Sequence, residues 1–505
     1  MKNYKYIGLF LLSLSIASCD VNNELDAIPA DVAPNVALNV NGLDFSSYIS
    51  IGTSLTAGYT DGALFKIAQE NSFPNILAGK FGADFKQPLM NDNIGGFVLG
   101  ETVVASPRFY FDGAGPAVLA ETPTTELGVP VAGPFNNYGL PGSKSFHLGI
   151  PGYGSLNPYF GRMASSAGAT VMGDALAQSP TFFTLDIGAN DVLFYATNGG
   201  AGTDQTGNLD PSSYGANDIT DPNVFASLFS GMVTALTADG AKGVVTNVPN
   251  VTDAANFTTV PHNAIPLDAA TAAQLNGAFA VYNAGLQQVL DLKNAGLLPS
   301  QVLPFLVNYD QAEVDSRQVN FVAGQNAVLI LDENLSNLTA INPSLTGMRQ
   351  ATSDDLILLA SSPILGTTVD GNPQLINGVS VPLGDNFVLT PQEQLLIQVA
   401  TDAYNATINS IVSSNPNIVL GDINGLLTEV TSGVVFDDYT MTSSLVTGGF
   451  FSLDGVHPTG RGYALAANKI LEAMDAGFGS NFMKATNGLA KADDHPTNYS
   501  PLLVQ

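Results

Sequence analysis

Tyr48-Ile49-Ser50-Ile51-Gly52-Thr53-Ser54-Leu55-Thr56-Ala57-Gly58 joins a short β-prone run to a glycine and then to a serine. An aromatic and β-branched run that stops at glycine has the pattern of a buried strand running into a turn. Ser54 then stands at the carboxyl end of that strand, where open α/β sheets bind their ligands. A serine in this place serves either as a helix cap or as a nucleophile.

Outward from this stretch, similar runs occur at Thr181–Gly188, Gly243–Val248 and Asn417–Leu420. Helical periodicity and capping residues mark Phe73–Phe81, Asn223–Ala238, Ala269–Lys293, Pro391–Ser413 and Gly460–Ala476. Strands alternating with helices predict an α/β domain whose parallel sheet is covered on both faces. We place that domain at residues 44–478, with a tail at 479–505. Segments at about 83–136, 197–220 and 296–388 are rich in Gly, Pro, Asn and Thr and read as insertions, the last also as a candidate small lobe. No fixed-period repeat is visible.

The chain has 505 residues, 45% of them hydrophobic, which is ample for a large core and excludes disorder throughout. It carries 44 acidic residues against 16 basic ones, a net charge of -28. That charge excludes nucleic acid as a partner and excludes attraction to an anionic membrane. Asp204, Asp210, Asp218 and Asp221 lie in one loop without the spacing of an EF-hand, so they read as solvated acids and no metal is called for.

Lys2 and Lys5, the apolar run Ile7–Ile16 and the small pair Ala17-Ser18 form an export signal over residues 1–18. Its roughly ten apolar residues fall short of the about 20 that span a membrane. Cys19 is the only cysteine, so no intrachain disulfide can form. Ile16-Ala17-Ser18-Cys19 resembles the bacterial lipobox. The resemblance implies a diacylated Cys19 as first residue of the mature chain, a lipidated tether over 19–43, and an exported lipoprotein of the cell envelope, at the outer membrane or cell surface.

Near the other end stands Asp454-Gly455-Val456-His457-Pro458. An Asp three residues before a His, across a glycine turn, can reach Nδ1 and leave Nε2 facing outward; the plain alternative is a turn with a capping Asp. Only His147, His262, His457 and His495 can supply a base, and the last of these sits in tail sequence. Asn190, in Gly188-Ala189-Asn190-Asp191, follows the second strand and reads as a helix cap or as an oxyanion donor. Asn137-Tyr138-Gly139-Leu140-Pro141-Gly142 reads as a tight turn whose backbone N–H groups can do the same.

Taken in order, Ser54, Gly142, Asn190 and Asp454-x-x-His457 resemble the four blocks of the SGNH hydrolase superfamily, the GDSL esterases and lipases. The resemblance implies a flavodoxin-like three-layer α/β/α sandwich with a parallel sheet and long insertions. It also implies Ser54 as nucleophile, His457 as base, Asp454 as its orienter, and Ser54, Gly142 and Asn190 as oxyanion donors. One departure is visible: Thr53 replaces the aspartate of the family's Gly-Asp-Ser-Leu block.

The expected activity is that of a cofactor-free serine esterase or lipase cleaving carboxylic esters through an acyl-serine. Acyl lipids and O-acetylated glycans compete as substrates, so a carbohydrate O-acetylesterase is the alternative within the fold. A non-catalytic module binding glycan or lipid is the alternative of another class. Membrane attachment through the N-terminal lipid is expected, and the oligomeric state stays open. His147 and Arg349 are further candidates for substrate contacts; a packed histidine and a surface salt bridge are their plain readings. If the insertions wall the Ser54 site, apolar runs such as Phe109-Tyr110-Phe111 and Leu356-Ile357-Leu358-Leu359 predict butyryl or hexanoyl esters over acetyl.

Overall fold

The computed structural model describes residues 35–505. The expectations for the export signal, Cys19 and most of the tether lie outside the described residues. Five parallel strands form the central sheet: β1 (Tyr48–Gly52), β2 (Asn137–Gly139), β3 (Phe182–Asp186), β4 (Lys242–Thr246) and β5 (Ile418–Gly421). Their spatial order is β5-β4-β3-β1-β2. The chain therefore leaves β1 toward β2 and returns to the other side of β1 as β3. The connections after β1 and β3 run in opposite directions and open a crevice between the strand ends, the place where doubly wound sheets bind ligands.

Every residue of β1 and β3 is buried, as expected of strands covered on both faces. On one face Tyr48 and Phe182 stand side by side and meet Phe81 of the helix Phe73–Phe81. Phe182 also touches Phe478 of the last long helix (Gly460–Phe478) edge-on. Such pairs contribute about 0.5–1.5 kcal/mol each beyond the area they bury. The same face carries a buried polar ladder: the Tyr48 hydroxyl pairs with Thr184 Oγ1 at 3.0 Å, and Thr184 donates to Ser50 Oγ at 2.6 Å. The opposite face is covered by helices at Pro222–Thr237 and Pro391–Ser414, joined by stacked Phe225 and Tyr404. Asp221 caps the first of these, accepting from the N–H groups of Asn223 and Val224, and Thr390 opens the second in a capping box with Glu393.

The expected strands and long helices lie within a few residues of their predicted limits. Three expectations need correction. Asn137-Tyr138-Gly139 is the edge strand β2 before it becomes a turn; three residues with Asn and Gly carry too little β-propensity to announce a strand. A second hydrophobic core runs from Val260 to Val388, so the lobe begins near residue 260 rather than 296. It includes the buried face of the helix Ala269–Asn294, namely Phe279, Tyr282, Leu286 and Leu290. Periodicity marks that face as buried without telling which core it meets.

Both ends of the described chain dock on the domain. In the tail at 479–505 the carbonyls of Tyr499, Ser500 and Leu503 accept from Arg108, which is fully buried. The last part of the tether is docked as well, Asn41 Nδ2 donating to the Phe478 carbonyl at 2.8 Å. The third correction is that Asp218, in the 197–220 insertion, and Asp221, just after it, are buried rather than solvated. Asp218 accepts from Thr203 N, Gly215 N and Gln205 Nε2, so it holds its loop in shape.

Candidate active site

The turn that presents Ser54 depends on close approach. A Cβ on Gly52 would collide with Thr56 Oγ1 and the Asp186 carbonyl, and one on Gly139, its partner in β2, would collide with Ala57 N. The two glycines let the single helical turn Ser54–Ala57 lie directly on the strand ends. Gly58, at φ 82°, ends that turn in the left-handed region. Ser54 is 6% exposed, and its Oγ lies 2.9 Å from His457 Nε2.

His457 comes from a loop that precedes the helix Gly460–Phe478. Gly455, at φ 71°, turns the chain so that Asp454 and His457 face each other. Asp454 Oδ2 lies 2.9 Å from His457 Nδ1 and accepts from Gly62 N at 2.9 Å, while Oδ1 accepts from the N–H groups of Val456 and His457 at 2.9 and 2.8 Å. Burial by itself raises the Asp454 carboxyl, but His457 and these backbone donors outweigh it and hold it at about 2. Asp454 is therefore an anion at neutral pH, fixing Nδ1 as the protonated nitrogen and leaving Nε2 as an acceptor toward Ser54.

The segment 59–62 braces this loop from far away in sequence. The Tyr59 ring packs 4.7 Å from the imidazole, Thr60 Oγ1 donates to the Pro458 carbonyl, and Asp61 Oδ1 accepts from Leu453 N. Asp61 is 2% exposed, and burial together with the neighbouring Asp454 charge pushes its carboxyl up to about 7. Sequence reasoning missed it. An Asp-Gly pair is an ordinary turn signal, and its proximity to Asp454 exists only in the fold.

Asn190 begins the helix Asn190–Thr197 after β3. Its Nδ2 donates to the Ser143 carbonyl at 2.8 Å. An amide nitrogen carries two hydrogens, so the second remains for a ligand. Next to it Asp191, wholly buried and also unforeseen, accepts from Ser145 N and Oγ at 3.0 and 2.7 Å. This helix start thus pins the loop that contains Gly142, which takes φ 81° beside open space.

Ser54, His457 and Asn190 line one narrow cavity of about 50 Å³, completed by Leu193, Val251, Leu427 and Phe451. Gly142 lies outside that lining, next to Ser143, whose carbonyl accepts from Asn190. Thr53 does line it: the side chain is 1% exposed and its Oγ1 has no partner among the described residues.

The remaining candidates are structural. His147 accepts from Lys144 N through Nδ1 and stacks on Tyr153 at 4.9 Å; burial, with Lys144 close by, pushes it down to about 4, so it is neutral. It is not part of the Ser54 cavity lining. Arg349 belongs to the second lobe, where Asp355 holds both of its terminal nitrogens at 2.7 Å and Asp332 takes Nε at 2.6 Å. These bonds leave it no role as an anion receptor, and at 8% exposure it is a buried ion network rather than a surface pair. Phe109 and Leu359 line one cavity with Asp454, and neither lines the Ser54 cavity.

Comparison of the chain with protein-family models, with curated proteins and with solved structures found no match.

Proposed function

We propose that this protein is a serine ester hydrolase of the SGNH type, exported and held at the membrane by acyl chains on Cys19. The observation that carries the activity is the unbroken chain from Ser54 Oγ through His457 to ionised Asp454, with both links at 2.9 Å. A module that only binds has no need of a base oriented by an acid. The strand order, second-first-third-fourth-fifth in chain order, supports the flavodoxin-like sandwich that the resemblance implies.

In the proposed reaction, neutral His457 takes the proton from Ser54 as Oγ attacks the ester carbonyl. Charge builds on the carbonyl oxygen, where the second hydrogen of Asn190 Nδ2 and the Ser54 backbone N–H receive it; the Gly142 N–H, outside the cavity lining, is the further donor that the resemblance implies. The Asp454 carboxylate stabilises the imidazolium formed in this step. His457 then gives the proton to the departing alcohol oxygen, and water, deprotonated by the same imidazole, releases the acid from Ser54.

The test is labelling by a fluorophosphonate probe together with hydrolysis of p-nitrophenyl acetate. Both are expected in the parent and both should vanish in Ser54→Ala at unchanged thermal stability. Activity of Ser54→Ala within about tenfold of the parent would remove Ser54 from the mechanism.

A further inference from the structure

Beside the narrow Ser54 cavity lies a second one of about 570 Å³, inside the range of small-molecule sites. It opens on Asp454 and its walls come from three distant parts of the chain. Phe109 and Pro116 belong to a hairpin in the first insertion, Leu359 and Pro363 to the second lobe, and Leu453 to the loop of the triad acid. These walls are tied to the triad. A Cβ on Gly62, which donates its N–H to Asp454, would touch the Phe109 ring, and one on Gly455 would press on Leu359.

The two cavities differ about tenfold in volume, and the chemistry orders them. The departing alcohol oxygen has to come within reach of His457 Nε2, whereas the carbonyl oxygen points to Asn190. The alcohol therefore leaves over the imidazole, and Asp454, bonded to Nδ1 at the other edge of that ring, lines the wide cavity. The Ser54 cavity itself, about 50 Å³ and reached by Asn190, admits about three to five water-sized groups at the roughly 10–15 Å³ that one needs, which suits acetyl to butyryl.

Building on the hydrolase reading, we propose that the substrates are short-acyl esters of a long or bulky apolar alcohol, whose hydrocarbon fills the cavity between the two insertions. Each CH₂ of the alcohol buried there raises kcat/KM by up to about fourfold.

The experiment uses the full chain and two ester series. Alkyl acetates from ethyl to decyl, followed by acid release, should show kcat/KM rising at least tenfold from ethyl to octyl. p-Nitrophenyl esters from acetyl to decanoyl should fall beyond butyryl. Ala360→Phe projects from an exposed position of the cavity wall and lies outside the catalytic set. It should lower kcat/KM for octyl acetate at least tenfold while ethyl acetate turnover and fluorophosphonate labelling stay unchanged. A flat response to alcohol length, a rise along the acyl series, or an Ala360→Phe variant that treats octyl acetate like the parent overturns the proposal while leaving the hydrolase standing. Failure of the parent to react with the probe or with any ester overturns both.

Discussion

Replacing Asp454 by asparagine isolates the contribution of the acid in the proposed triad, because the shape is kept and only the charge and two acceptor sites change. In the parent the carboxylate accepts four hydrogen bonds, from the N–H groups of Gly62, Val456 and His457 and from His457 Nδ1. An amide cannot serve all four. With its oxygen toward Val456 and His457, its NH₂ faces two donors, and Nδ1 must give up its proton to become an acceptor. The proton then sits on Nε2, 2.9 Å from Ser54 Oγ, and the base is lost. With the amide reversed, the tautomer survives but two backbone N–H groups lose their acceptor, at about 1–3 kcal/mol each for buried donors. The equivalent change in a serine protease lowers kcat by about 10⁴, or roughly 5.5 kcal/mol at 1.36 kcal/mol per decade. We expect a loss of about 10³–10⁴ in kcat for p-nitrophenyl acetate with little change in KM, and a parallel fall in the rate of fluorophosphonate labelling, which needs the same base. Folding is checked by thermal melting at pH 7. A folded Asp454→Asn protein with kcat within tenfold of the parent would refute the assignment of Asp454 and the tautomer argument with it.

Asn190→Ala should lower kcat by about 10²–10³, the effect of removing one oxyanion donor, while the Ser54 pair with His457 still reacts with the probe; an unchanged kcat would exclude Asn190 from the oxyanion site. Asp61 stays protonated in the fold up to about pH 7 but ionises in the unfolded chain above its ordinary value of 3.8. Its stabilising contribution is therefore complete below about pH 4 and lost as pH rises through 7. Asp61→Asn keeps the acceptor for Leu453 N and tolerates the left-handed φ of 51°, so its Tm should gain on the parent between pH 5 and 8; a gap that narrows over this range would contradict the buried neutral acid. Cys19→Ala should block acylation and move the protein out of the membrane fraction or leave its signal uncleaved, since no helix among the described residues is long and apolar enough to cross a membrane. Membrane retention of a cleaved, unlipidated form would reveal a second anchor.

The parts of this molecule that could be read from sequence are those whose partners are close in sequence or whose pattern is set by geometry alone. β1 was legible because a strand covered on both faces is apolar along its whole length and Gly52 breaks it. The Asp454–His457 pair was legible because three residues and a glycine bring the two side chains together. The long helices announce themselves by period and caps, yet the helix Ala269–Asn294 buries its apolar face in the second core rather than on the sheet, since an apolar stripe carries no address. Asp61, Asp191 and the docked C-terminus escaped notice for the same reason: their roles rest on contacts with residues remote in sequence, and their own neighbours are ordinary. His147 and Arg349 failed in the opposite sense. They stood out because histidine and arginine are scarce here, but scarcity says nothing about whether a side chain's donors and acceptors are already spent. In the fold Arg349 has given its guanidinium to two buried carboxylates, and the Nδ1 of His147 is occupied by Lys144 N. Ser54 and Asn190 differ on this count, since each keeps hydrogen-bonding capacity facing a common cavity. Unspent polar capacity aimed at a shared space is thus the property that separates the candidate site from the merely unusual residues, and it becomes visible only when the chain is folded.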